Sequence, residues 1–106
     1  MPKCNLARYK VMKTIYVAYK QGKPIGFSAD RQHCVNNVST YISMVDDWVM
    51  DTDACVEEVN SEEELKQIIA MLFIAEYKDM RKQGLPPKGA IEWARMSRQC
   101  GFLYFA

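Results

Sequence analysis

The sequence predicts an α+β domain with the element order β-β-α-β-α-α-β, in which a small, mainly antiparallel sheet carries helices mostly on one face. Residues 13–20 place Ile15, Val17 and Tyr19 at alternate positions, so that these three side chains share one face of a strand. Two later segments repeat apolar residues at three- and four-residue spacing, which is typical of a helix. The chain has 106 residues, 49% of them hydrophobic. We therefore expect a single domain over residues 1–106, with residues 1–11 as a candidate flexible N-terminal extension.

The first two strands are predicted to form a β-hairpin. Residues 13–20 are rich in β-branched and aromatic side chains, which favour a strand with one well-buried face. That face consists of Ile15, Val17 and Tyr19. Gly22 supplies the turn because it adopts positive φ at no steric cost. Residues 24–27 form the returning strand, and Pro24 places its start at a strand end or a sheet edge.

The third element is predicted to be a helix. Its N-cap is Ser28 or Asp30, and it ends between Asp46 and Met50. Apolar residues at helical spacing form one stripe along it. The stripe consists of Cys34, Val35, Val38, Tyr41, Ile42, Val45 and Val49.

The second half of the chain is predicted to contain one strand, two helices and a final strand. Residues 54–59 form the short strand, and a capping box that begins at Ser61 starts a long helix. Gly84 ends this helix in the position where glycine is preferred. A last helix covers residues 90–99, and residues 102–106 close the chain as an apolar extended segment.

Charge is distributed unevenly, although the net charge is only +1. Residues 1–31 carry seven basic residues and one acidic residue, whereas residues 32–64 carry nine acidic residues and no Lys or Arg. Residues 65–106 carry seven basic and three acidic residues. This asymmetry indicates a dipolar surface that can steer a charged partner, unless the blocks neutralise one another in the folded domain.

Signals for enzymatic or metal chemistry are weak. The four cysteines lie at least 21 residues apart and include no zinc knuckle, and His33 is the single histidine. An acidic segment consists of Asp46, Asp47, Asp51 and Asp53. These carboxylates could hold calcium, but their spacing is not that of an EF-hand, and a solvated loop is favoured. We predict a non-enzymatic protein with no catalytic residue, metal or cofactor.

Two surfaces are candidates for binding a partner. The first carries residue types enriched at protein interfaces, namely Trp93, Arg95, Arg98 and Tyr104. The neighbouring Phe102 and Leu103 are expected to complete the core instead. The alternative basic face interleaves bases with tyrosines, as a groove for single-stranded nucleic acid does. It consists of Lys10, Lys13, Lys20 and Lys23.

A protein-binding module is therefore the favoured function. The alternative is a small nucleic-acid-binding module that uses the basic face, or a nucleic-acid mimic that uses the acidic residues 46–64, and a small enzyme ranks third. The apolar C-terminal strand offers an edge through which two copies could pair as a homodimer. No apolar stretch reaches the length of a membrane span, since the longest, residues 68–75, has about eight residues against the roughly 20 that are needed. We expect a cytoplasmic protein without a membrane partner.

One segment also carries a family resemblance. Residues 14–30 read TIYVAYKQGKPIGFSAD and lead into the predicted helix and the acidic strand. This pattern resembles the start of many small uncharacterised bacteriophage proteins, in which a strand, a turn and a PIGFS segment precede a helix. The resemblance covers residues 14–60 and includes no catalytic motif. It implies an accessory protein that acts in the host cytoplasm, where it binds and inhibits or redirects a host or defence protein.

Overall fold

Five strands and three helices make up residues 14–104, the part of the chain that this computed structural model describes. The strands are β1 (Ile15–Lys20), β2 (Lys23–Ser28), β3 (Ser39–Ile42), β4 (Asp47–Met50) and β5 (Ala54–Val59). The helices are α1 (Arg31–Asn36), α2 (Glu62–Lys82) and α3 (Pro87–Gln99). An antiparallel sheet has the order β2-β1-β5, and β3 pairs with β4 as a separate hairpin. The predicted α+β class is confirmed, while the predicted extension over residues 1–11 lies outside the described residues.

The N-terminal hairpin forms as predicted. Gln21 and Gly22 both have positive φ, 54° and 77°, which is the two-residue turn whose twist matches that of paired strands. The β1–β2 pairing shifts register between Ala18 and Tyr19. Because such a bulge changes the direction of the side chains beyond it, Ile25 packs on the same side of the sheet as Ala18.

Both faces of the sheet are covered, rather than the single face that the alternation predicted. On one face, Val17 packs with Ile68 and Leu72 of α2, and α3 lies against α2. On the other face, Ala18 packs with Cys34 of α1. Val17, Ala18 and Cys34 are all fully buried. Helix α2 therefore covers one side of the sheet with α3 packed against it, and the short α1 closes the other side.

The prediction of one helix from Asp30 to the region of Met50 is wrong. Asp30 does cap the helix, since its carboxylate accepts a hydrogen bond of 3.0 Å from the Gln32 backbone N–H. However, α1 stops after six residues, and the chain then forms the β3–β4 hairpin. The residues beyond Asn37 are mainly β-branched or aromatic, and these side chains favour strands over helices.

The second half follows the prediction up to its last residues. Strand β5 and helix α2 occupy the expected segments, and the Ser61 hydroxyl accepts a 3.2 Å hydrogen bond from the Glu64 backbone N–H. Helix α3 begins at Pro87, three residues earlier than predicted, because proline suits the first turn of a helix. Gly84 follows α2 with a φ of 102°, as expected of a glycine that ends a helix.

The predicted C-terminal strand is absent from residues 102–104, and residues 105–106 lie outside the described part of the chain. Gly101 and Phe102 have positive φ values of 67° and 62°, so the chain turns sharply after α3. Phe102 then enters the cluster on the α2 side of the sheet, and Leu103 enters the cluster on the α1 side. The expectation that these two side chains complete the core is confirmed.

Candidate functional site

The β3–β4 hairpin projects a set of apolar side chains into solvent. We call residues 39–50 the finger. Its strands pair antiparallel with Tyr41 opposite Trp48, and a four-residue turn over residues 43–46 joins them. Asp46 has a φ of 50°, a left-handed conformation that aspartate tolerates better than most residues. The Tyr41 hydroxyl donates a hydrogen bond to the Asp46 carboxylate, and the Tyr41 and Trp48 rings meet edge to face at 5.7 Å.

The exposed apolar side chains cover both faces and the tip of the finger. They are Tyr41, Ile42, Met44, Val45, Trp48 and Val49. Met44 at the tip is 93% exposed, Val45 is 61% exposed, and Trp48 is 63% exposed. Only at the base does the finger join the core, where Met50 packs against the cluster around Ala18. A single exposed apolar residue is common on protein surfaces, but six on one short hairpin are not, and this makes the finger the candidate functional site.

Polar contacts hold the base of the finger against the N-terminal hairpin. The Asp51 carboxylate accepts hydrogen bonds from the Lys20 ammonium at 2.6 Å and the Thr40 hydroxyl at 2.7 Å. Lys20 lies 3.4 Å from Asp53 as well. The backbone N–H of Asp51 donates to the Val38 carbonyl at 2.8 Å. The finger therefore has a defined base rather than a loosely attached one.

The ion pair at the base of the finger shifts the pKa values of both Lys20 and Asp51. The hydrogen bond from Lys20 lowers the pKa of Asp51, and the bond from Thr40 adds to this effect. The hydrogen bond to Asp51 raises the pKa of Lys20. The lowered pKa of Asp51 and the raised pKa of Lys20 both mean that the charged form is stabilised, as expected of a paired acid and base. Since both side chains remain partly in contact with water, the pair contributes modestly to stability.

The acidic segment is divided between two places. Asp51 and Asp53 lie at the base beside Lys20, whereas Asp46 and Asp47 lie at the far end of the finger. The Asp47 carboxylate accepts a 2.7 Å hydrogen bond from the Trp48 backbone N–H. Within residues 14–104, no group of three or more His, Cys, Asp or Glu side chains is arranged to hold a metal ion.

Two residues of the alternative basic face, Lys20 and Lys23, lie in the described part of the chain. Lys10 and Lys13 lie outside it. Lys20 is engaged with Asp51 and Asp53, and Lys23 is exposed beside the turn of the N-terminal hairpin. The charge of Lys20 is therefore balanced within the domain, so it is less available to a phosphate backbone.

Of the residues predicted to bind a partner near the C-terminal end, Trp93 and Tyr104 make hydrogen bonds within the domain. Three side-chain donors converge on one carboxylate oxygen of Glu76, and we call this arrangement the Glu76 clasp. They are Trp93 Nε1 at 2.8 Å, Tyr104 Oη at 3.0 Å and Ser97 Oγ at 3.1 Å. The clasp connects α2, α3 and the C-terminal segment. Burial beside these elements raises the pKa of Tyr104, and the hydrogen bond to Glu76 raises it further. Trp93 and Tyr104 thus have an internal role, although both retain exposed surface.

The two arginines of that predicted surface point to different surroundings. Arg98 lines an open groove of about 570 Å³, whose other lining residues are Phe27, Lys66, Ile69 and Ala70. Arg95 is exposed and does not line this groove. The structure therefore brings Trp93 and Tyr104 together at Glu76, while Arg98 lines a groove that Arg95 does not line.

The helical spacing of Tyr41, Ile42, Val45 and Val49 predicts a buried stripe, whereas all four side chains are exposed. Met44 and Trp48 are not among the predicted site residues. A signal for the hairpin was nevertheless present. Asp46 and Asp47 separate two short runs that are rich in β-branched and aromatic residues, which is a hairpin pattern.

No known protein family, curated protein or solved structure matches this chain. Across residues 14–104, no helix combines the length and the apolar character needed to cross a membrane.

Proposed function

We propose that this domain is a non-enzymatic protein-binding module that contacts its partner with the finger. The observation that carries the proposal is the set of large apolar side chains exposed on one hairpin with a held base. Trp and Tyr are the residues that most often dominate binding energy at protein interfaces, and methionine adapts to irregular surfaces. Trp48, Tyr41 and Met44 supply these three types within one short segment.

The organisation of the finger also favours binding over a purely structural role. A hairpin that is ordered before binding loses less conformational entropy on association than a loop that must fold on its partner. The finger meets this condition through the Tyr41–Trp48 ring contact and the bonds of Asp51 at its base. Of the finger residues, only Met50 packs against the core, so Tyr41, Met44 and Trp48 contribute little to it.

The resemblance to small bacteriophage accessory proteins extends this proposal to a biological role. In that role the partner is a host or defence protein, which the domain inhibits or redirects. The resemblance covers residues 14–60 and so includes the finger. The nucleic-acid alternative has less support, because Lys20 is ion-paired with Asp51 and Asp53 at the base of the finger.

Affinity capture with paired variants tests the proposal. Tagged wild-type protein, a finger variant (Met44→Ser with Trp48→Thr) and a control variant (Met71→Ser with Ile74→Ser) are incubated with bacterial lysate. The control side chains are apolar and more than half exposed on α2, so this variant removes exposed apolar surface away from the finger. Threonine at position 48 preserves strand propensity.

We expect the wild type and the control to retain one protein in stoichiometric amount, and the finger variant to retain at least tenfold less. Circular dichroism checks that all three proteins are folded. Equal capture by the finger variant, or no stoichiometric partner for any of the three, would refute the proposal.

A further inference from the structure

The charge of the finger identifies the chemistry of the surface that it fits. The tip carries two carboxylates, Asp46 and Asp47, beside its apolar side chains. Their hydrogen-bond donors, the Tyr41 hydroxyl and the Trp48 backbone N–H, are both neutral. Ion pairs within residues 14–104 join Lys20 to Asp51 and Asp53 at the base. The two tip charges therefore have no cationic partner in the described part of the domain.

The sequence around the finger does not supply the missing positive charge. Residues 32–64 contain no Lys or Arg, so the negative potential at the tip is not offset by neighbours in the chain. An apolar surface with uncompensated carboxylates at its rim is complementary to an apolar cleft that has cations at its own rim. Such complementarity raises the association rate and selects against the wrong partners.

We infer that the finger inserts into an apolar cleft rimmed by Lys and Arg side chains on a different protein. This inference rests on the proposed function and specifies the partner surface. Two copies that meet finger to finger would bring four carboxylates together, and like charges disfavour that arrangement. An anionic lipid surface would repel the tip for the same reason.

A defined probe tests the inference without knowledge of the natural partner. The probe is a synthetic amphipathic peptide of Leu and Lys, and its counterpart has Glu in place of every Lys. The chain has two tryptophans, and the protein used in the titration carries Trp93→Phe, so that Trp48 is its single tryptophan. A shift of Trp48 emission on titration then reports binding at the finger itself.

Charge-neutral variants separate local recognition from general attraction to an acidic protein. Asp46→Asn with Asp47→Asn removes the two tip charges. Glu57→Gln with Glu58→Gln removes two adjacent exposed charges on β5 and serves as the matched control. We expect the Lys peptide to bind with a Kd at least tenfold below that of the Glu peptide. The tip variant should weaken binding about fivefold, and the control less than twofold.

Several results would overturn the inference. They are binding of the Glu peptide as tight as that of the Lys peptide, equal weakening by both variant pairs, and no shift of Trp48 emission. Concentration-dependent self-association of the protein without peptide, measured by sedimentation velocity, would show that a second copy covers the finger instead. Finger-dependent capture from lysate together with a negative titration would keep the proposed function and reject the basic cleft. A positive titration without finger-dependent capture would refute the proposed function and leave only an affinity of the finger for basic apolar surfaces.

Discussion

The Glu76 clasp allows a stability prediction that can be worked from its contacts. Glu76→Ala removes the single acceptor shared by Trp93, Ser97 and Tyr104. Ser97 is buried, so its hydroxyl would lose a charged acceptor without access to water. Trp93 and Tyr104 are 42% and 66% exposed and can turn to solvent. The three lost bonds are therefore not equal in cost.

The magnitude follows from this difference in exposure. Leaving a buried hydroxyl without its partner costs about 1–2 kcal/mol, and each exposed bond contributes about 0.5 kcal/mol or less. The total is about 2 kcal/mol of unfolding free energy. Glu76→Gln keeps an oxygen acceptor but loses its charge, and we expect about half of that loss, since bonds to charged groups are roughly twice as strong.

Urea unfolding followed by far-UV circular dichroism measures the effect. The control is Glu92→Ala, an exposed glutamate within α3, which shares the helix propensity change of Glu→Ala. The unfolding midpoint of Glu76→Ala should lie about 1–2 M urea below that of the control. A difference of less than about 0.5 kcal/mol between the two variants would show that the clasp does not stabilise the fold.

Three further predictions concern the base of the finger, the C-terminal turn and the start of α2. Since pairing with Lys20 lowers the pKa of Asp51, its stabilisation is present above the ordinary aspartate pKa of about 4 and is lost as pH falls through the lower, folded value. The difference in thermal midpoint between wild type and Asp51→Asn should thus shrink between pH 7 and pH 3, and a constant difference would contradict the ion pair. Gly101→Ala should cost about 3 kcal/mol or prevent folding, because the added methyl would overlap a backbone carbonyl of β2 at a position of positive φ; circular dichroism measures this. Gly89→Ala in α3 is its control and should not destabilise, and similar losses for both would count against the overlap. Ser61→Ala should lower stability by about 1 kcal/mol in urea, whereas Ser61→Asp should preserve it, and a neutral alanine variant would argue against the cap.

Local signals predicted the elements whose determinants lie within a few residues of one another. The turn at Gly22 needs positive φ, and the start of α2 needs a side-chain acceptor at Ser61. Both requirements act between near neighbours and are therefore readable from the chain. Helix α2 also has an apolar stripe long enough that no strand pattern competes with it.

The finger shows where the same kind of reasoning fails. Spacings of three and four residues among Tyr41, Ile42, Val45 and Val49 satisfy a helix, but short apolar runs also fit strands. Propensity is weak, so the outcome depends on packing beyond the segment. Here Met50 joins the cluster around Ala18, and Asp51 bonds to Lys20, which favours a chain that returns to the sheet.

The same difference between local and long-range determinants applies to the candidate site. The α+β class, the uneven charge and the many interface residue types follow from composition and local periodicity alone. Which of those residues face solvent depends instead on how distant segments of the chain pack together. Tertiary packing turns the polar atoms of Trp93 and Tyr104 toward Glu76 and pairs Lys20 with Asp51. It leaves Trp48 and Met44 exposed beside Asp46 and Asp47, whose carboxylates have no ion-pair partner within residues 14–104. These outcomes depend on contacts between segments far apart in the chain, and a pattern of neighbouring residues does not record them.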